Sequence, residues 1–236
     1  MNQYSGSTQR RATPPTRTKG RAAPASEPPT ARGKRSREKI LRAAEHVFGR
    51  KSYYHAGIAD IARKAGVALG SFYVYFPDKR AVFIELIDEL GMRLRSHLAA
   101  AVGHIDNRID IEVEGLRAFF SFAEEHRLLY RIVREAEFVD EPTFRRYYAR
   151  MAEGYVRGLQ AAADAQQIHA PNPEALAYAL MGMADFLGMR FVLWGSAKNR
   201  EQVIRAAAEF LRRGLTPPPA GSGGPAKLTV LRSRKA

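Results

Sequence analysis

The chain has 236 residues, of which 45% are hydrophobic and 26% charged, a globular composition that excludes wholesale disorder. It contains no cysteine, which excludes a disulfide scaffold, thiolate zinc sites, iron–sulfur clusters and a cysteine nucleophile, and fits a reducing cytoplasm. The formal net charge of +14 makes a polyanion the first partner to consider.

That charge is concentrated at the ends. Residues 1–37 hold nine basic residues and one acid, Glu27, whereas 214–236 hold four basic residues and none, so the span 38–213 carries only +2. Residues 1–33, with Pro14, Pro15, Pro24, Pro28 and Pro29 among Ser, Thr and Arg, read as a disordered basic N-terminal arm. They lack the apolar core of a secretory signal. The arm leads into Lys34-Arg35-Ser36-Arg37, and such a segment is expected along phosphates or in a minor groove, with a solubilising tail as the alternative. Residues 215–236, with Pro217-Pro218-Pro219 and Gly221-Ser222-Gly223-Gly224, read as a disordered basic C-terminal tail.

Between the tails the apolar spacing is close to 3.6 residues and no run alternates like a strand, so the fold class is all-α. Ile40, Leu41, Ala44, Val47 and Phe48 mark the first helix. Ile58, Ile61, Ala62 and Ala65 give a short second helix with one apolar face, ended by Gly66 in the left-handed conformation that stops a helix. Val67 is an apolar plug, and a third short helix runs from about Leu69 to Tyr75. Pro77-Asp78 breaks the chain before a longer helix carrying Val82, Leu86, Leu90, Leu94 and Leu98. Two short helices joined by a tight glycine-containing turn form a helix-turn-helix, and the second of them is slim enough to enter a major groove.

The stretch from about Arg35 to Leu90 resembles the TetR family of one-component bacterial transcriptional regulators. The likeness is carried by Ala44, Val47 and Phe48, then Asp60-Ile61-Ala62, Ala65-Gly66-Val67, Gly70-Ser71-Phe72-Tyr73, Tyr75-Phe76-Pro77 and Lys79. It implies a three-helix DNA-binding domain at 34–82, followed at 83–214 by an all-helical effector-binding and dimerisation domain. Tyr73 and Tyr75 would then offer hydroxyls to phosphates, and Lys79 would pair with a phosphate beside backbone N–H groups. Ser71, Ala68 and Leu69 would face base edges, with Arg35 and Arg37 contributing from the arm side. Family members usually carry Thr or Ser where this chain has Gly57 and Ala68. Gly57 still caps a helix at little cost, whereas Ala68 forfeits a side-chain cap and a polar contact. Phe72 and Phe76 read as core. Arg63 and Lys64 are either a solvated face or phosphate contacts.

Beyond Gly91 the sequence offers some five further helices. Phe119, Phe122, Tyr130, Tyr147, Met151, Tyr155, Met181 and Met189 are candidates for an apolar effector pocket, for which long-chain acyl compounds and drug-like aromatics are both suitable. Arg134 and Asp185 would anchor a ligand head group or pair within the fold. Pro173–Trp194 and Arg200–Arg213 are the expected homodimer interface, a four-helix bundle made with the partner chain. Ala177, Gly182, Ala184 and Gly188 would allow close approach there, and Trp194 is open between interface anchor and core. Ala175–Gly195 is apolar enough to raise a transmembrane reading, but Asp185 and Arg190 inside it favour a packed helix.

No enzyme signature, metal-ligand spacing or cofactor fingerprint is present, so neither a catalytic residue, a metal nor a cofactor is expected. The resulting expectation is a cytoplasmic, ligand-responsive regulator, a repressor, binding a palindromic double-stranded DNA operator as a homodimer. A nonspecific architectural DNA binder using the basic tails, or an all-helical enzyme without a recognisable motif, is the alternative.

Overall fold

The computed structural model describes residues 30–195 and 199–217. Most of the basic arm and of the C-terminal tail therefore lies outside the described residues. The described residues contain helices and short connections and no strand. In chain order the helices are α1 (Ala31–His55), α2 (Ile58–Ala65), α3 (Leu69–Tyr75), α4 (Lys79–Val102), α5 (Arg108–Glu125), α6 (Arg127–Val139), α7 (Glu141–Asp164), α8 (Pro173–Gly188) and α9 (Arg200–Leu215). A π-helical turn, Met189–Leu193, prolongs α8.

Helix α1 begins at Ala31, three residues inside the stretch read as arm, because the Thr30 hydroxyl accepts the Gly33 N–H at 3.1 Å and caps it. It ends in a break at Ser52, whose φ of 67° and ψ of 163° lie in a region that side chains rarely adopt. Helix α2 ends as expected: Gly66 has φ 66°, its N–H donates to Arg63 O at 3.2 Å, and the Val67 N–H donates to Ala62 O at 3.0 Å. Asp78 caps α4 through the Ala81 N–H at 2.7 Å, and Asp140 caps α7 through the Thr143 N–H at 2.9 Å.

One apolar core spans the first three helices and reaches along α4 into α6 and α7. It contains Ile40, Phe48, Ile61, Phe72, Phe76, Phe83, Leu86, Leu90 and Ile132. Phe72 and Phe76 are fully buried, as their spacing predicts. Two smaller clusters close the other half: one joins α5 to α9 around Phe120 and Ile204, the other joins α7 to α8 and α9 around Leu159, Leu180 and Leu211. Helix α6 packs along α1, and α4 packs on α1, α5 and α7, so α4 belongs to both halves.

Pro173–Leu193 is long and apolar enough to cross a membrane. One side of it packs on α5 and α7, while Tyr178 and Phe186 on α8, Trp194 after the π turn and Phe210 on α9 stand exposed. Trp194 is thus no part of the core of this chain. Ala177 and Gly188 differ from expectation because both are spent inside the chain. Ala177 is buried between α7 and α8, and a side chain at Gly188 would collide with the Tyr130 hydroxyl at 2.3 Å. Gly182 alone of the glycines on α8 faces open space.

Candidate nucleic-acid interface and ligand cavity

Helix α3 buries one of its seven residues, Phe72, and that residue anchors it. Leu69, Gly70, Ser71, Tyr73 and Val74 are exposed, and so is Ala68, which caps the helix without a side-chain hydrogen bond. Two-thirds or more of Val74 is open to solvent, and Tyr73 is half exposed. The apolar Val74 escapes a search for polar DNA contacts, yet it is the most exposed hydrophobic side chain of the helix. Gly57 caps α2, where its N–H donates to Asp60 Oδ2 at 3.2 Å. Asp60 also accepts from Lys51 at 2.8 Å and from Arg63 at 2.5 Å. The Lys51 hydrogen bond foremost, then the Gly57 N–H, holds the Asp60 carboxyl below the usual aspartate range. Arg63 is thereby partly neutralised, while Lys64 is exposed beside it.

The remaining residues read as DNA contacts are placed unevenly. Arg35 is exposed on the first turns of α1. Arg37 turns inward instead: it forms an ion pair with Glu85 of α4 and its guanidinium lies 5.3 Å over the Phe76 ring. Tyr75 is half-buried against the core. The Lys79 ammonium donates to the carbonyls of Tyr53 at 2.8 Å and Ala56 at 2.9 Å, so two of its three protons bind the end of α1. The charge of the head favours an anion. Residues 30–82 carry twelve Lys and Arg against four Asp and Glu.

The second half encloses a cavity of about 440 Å³, within the range of small-molecule sites. Phe119 of α5, Tyr130 and Arg134 of α6, Tyr147, Met151 and Tyr155 of α7, and Met181 and Asp185 of α8 line it. Leu94, Arg95 and Leu98 supply a wall from α4. Phe122 and Met189 do not line it. Phe122 is buried with the rings of His97 and His126, and Met189 is buried with its sulfur 3.1 Å from an Arg134 nitrogen.

The cavity has two polar ends. At one, Arg108 and Glu112, one turn apart on α5, form an ion pair that is more than 90% buried, and the Tyr155 hydroxyl donates to the other Glu112 oxygen. Burial foremost pushes the Glu112 carboxyl above the ordinary glutamate value, against the pull of Arg108. The Asp106–Asp110 stretch reads as a connection in sequence, which hides this pair. Opposite charges four residues apart are the signal that marks it. At the other end stand Tyr130, Tyr147, Tyr148 and Asp185. Burial foremost raises all three phenols, Tyr148 to about 12, and the Asp185 charge adds to each. Asp185 is itself raised, first by burial, with Arg134 opposing.

The described residues hold no cluster of His, Asp or Glu suited to a metal ion. A sequence model of the TetR family of bacterial regulatory proteins matches residues 40–86. The HTH-type transcriptional regulator YdgC of Bacillus subtilis (strain 168), itself uncharacterised, is 27% identical over 193 residues, covering 79% of this chain and 95% of YdgC. The HTH-type transcriptional regulator EthR of Mycolicibacterium smegmatis is 28% identical over 161 residues, covering 64% of this chain and 74% of EthR. The fold is shared with the fatty acid degradation regulator FadR from Bacillus halodurans, with a TM-score of 0.67 at 18% identity over 75% of this chain and 94% of that one. The residues matched by the family model run from α1 into α4 and include both short helices and their core, and the relatives so named are transcriptional regulators. Residues 40–86 thus carry the DNA-binding domain of the TetR family of bacterial regulatory proteins, and the chain is similar over most of its length to HTH-type transcriptional regulators.

Proposed function

We propose that this protein is a cytoplasmic, ligand-responsive repressor that binds a palindromic operator as a homodimer and is released or tightened by a hydrophobic small molecule. One observation carries the reading: α4 starts beside the exposed α3 and, four turns later, lines the cavity with Leu94, Arg95 and Leu98. A ligand that fits one tilt of α4 better than another shifts the population of head positions.

The homodimer is supported by the exposed Tyr178, Phe186, Trp194 and Phe210 on the α8–α9 side. Two symmetric copies of α3 would read two half-sites about one helical turn apart. The DNA roles of Arg35, Gly57, Ala68, Leu69, Ser71, Tyr73 and Tyr75 rest on their placement around α3, and Lys79 keeps one proton for a phosphate. Arg37 contributes through its hold on Glu85.

The test is selection of binding sites from random duplex DNA with the full chain, followed by affinity measurements across salt concentrations. An enriched inverted repeat, bound at least about a thousandfold more tightly than random duplex, is the expected result. Equal affinity for all duplexes with a steep salt slope would establish an architectural binder instead.

A further inference from the structure

Among the described residues, every buried or half-buried carboxylate has a hydrogen-bond or ion-pair partner except one. Glu112 has Arg108 and Tyr155, Glu85 has Arg37, and Asp140 has Thr143 and Arg80. Asp185 lines the cavity half-buried and, among the described residues, makes no hydrogen bond or ion pair. Beside it in the same wall, the Tyr130 hydroxyl is buried and has no hydrogen-bond partner either, although only 6% of that residue is exposed. Unpaired polar groups of this kind cost free energy unless something fills the space between them.

The surroundings specify what that is. Tyr147 and Tyr148 meet edge to face at 5.2 Å, and Phe119 meets Tyr130 edge to face at 6.0 Å, so aromatic rings wall this end. Ring faces and a carboxylate both attract positive charge. Three of the four arginines of the lining are engaged or lie toward solvent, and the fourth, Arg95, stands half-buried on the α4 wall. Arg108 is held by Glu112, Arg150 donates to Asp88 at 3.0 Å, and Arg134 is exposed with its guanidinium on the Met189 sulfur. Arg95 lies by Gly91 on the Tyr147 side of the cavity. Asp185 acts on Tyr130, Tyr147 and Tyr148 alike, which places its carboxylate near all three rings, with Arg134 acting on Asp185 from the solvent side.

We propose that the effector is a lipophilic organic cation, whose protonated amine sits against Asp185 within the Tyr130, Tyr147 and Tyr148 rings while its apolar body lies along Leu98, Phe119 and Met151. The inference rests on the cavity being the effector site and adds the charge of its occupant. A carboxylate-headed amphiphile would bring its charge against Asp185 at this end, whereas an ammonium head is attracted by both the carboxylate and the ring faces.

The test compares three ten-carbon probes, each below its micelle concentration, by isothermal titration calorimetry on the full chain: decylammonium, decanol and decanoate. Decylammonium is expected to bind about tenfold or more tightly than the other two. Asp185→Asn is expected to remove that advantage over decanol and decanoate, and Asp185→Glu to restore part of it. Decanoate binding as tightly as decylammonium overturns the proposal, and so does decanol matching decylammonium. In both cases the cavity stands as a ligand site. If none of the three binds, the effector-site reading falls and takes the proposal with it. The comparison on the unsubstituted protein decides the matter even if the Asp185 variants fold poorly.

Discussion

The Lys79 ammonium donates to the Tyr53 carbonyl at 2.8 Å and lies 4.4 Å from the centre of the same residue's ring. At the preceding peptide, Glu135 of α6 accepts the Tyr53 N–H at 2.5 Å. The end of α1 is therefore gripped from α4 and from α6 at one residue, just after the break at Ser52. Replacing Lys79 by Met keeps the stem on the ring and removes both hydrogen bonds to α1. Urea unfolding should then show a loss of about 2 kcal/mol, the scale of hydrogen bonds from a charged donor. An unchanged midpoint would show that the grip contributes nothing.

Ser52 holds a backbone conformation that glycine adopts freely. Ser52→Gly releases strain of about 1–3 kcal/mol and costs about 0.5–1 kcal/mol in chain entropy, together with the contact to His55 Nδ1 at 3.1 Å. A net gain near 1 kcal/mol is expected in thermal unfolding. A loss of that size, as for glycine inside an ordinary helix, would mean that Ser52 is not in this conformation.

On the reading head, Tyr73→Phe should separate affinity from stability. The exposed hydroxyl makes no hydrogen bond among the described residues, so thermal stability should stay within about 0.5 kcal/mol. Operator affinity, read by fluorescence anisotropy, should fall about fivefold, the value of one hydrogen bond. Phe72→Ala on the same helix should instead cost about 3–5 kcal/mol of stability, because it empties a fully buried position.

Asp140 caps α7 and also meets Arg80 at 2.5 Å. Burial pushes its carboxyl up, but the Thr143 hydroxyl and N–H and the Arg80 charge outweigh it and leave it below the ordinary value of 3.8. Above 3.8 both states are ionised and the stabilisation is complete. As pH falls through the lower folded value the native state must take up the proton, and the stabilisation is lost. Asp140→Ala should therefore lose about 1–2 kcal/mol at pH 7, and the gap to the parent protein should close at acid pH in urea titrations.

For the buried pair, Glu112→Ala leaves the Arg108 guanidinium uncompensated and should cost about 3–5 kcal/mol. Arg108→Met combined with Glu112→Leu removes both charges and should recover most of that. Because burial raises the Glu112 carboxyl above 4.5, the native state keeps a proton that the unfolded chain has released. The parent protein should accordingly lose stability as pH rises from 4.5 through the folded value, and the double variant should lack this contribution. A single variant no less stable than the double one would contradict the pairing.

The helices, the breaks at Gly66 and Pro77-Asp78, and the burial of Phe72 and Phe76 are all legible in the chain, because periodicity, a left-handed glycine and a capping aspartate act over a few residues. Most of the cavity wall is legible for the same reason, since Phe119, Tyr130, Tyr147, Met151 and Tyr155 recur on faces that helical spacing defines. Where a face points is another matter. Phe119 and Phe122 are three residues apart on α5, yet one lines the cavity and the other packs with His97 and His126, a choice made by helices distant in sequence. Long charged side chains follow the same rule. Arg37 finds Glu85, Lys79 finds two carbonyls at the end of α1, and Asp185 finds no partner, because a flexible cation settles wherever folding leaves an acceptor, and no local pattern records that position.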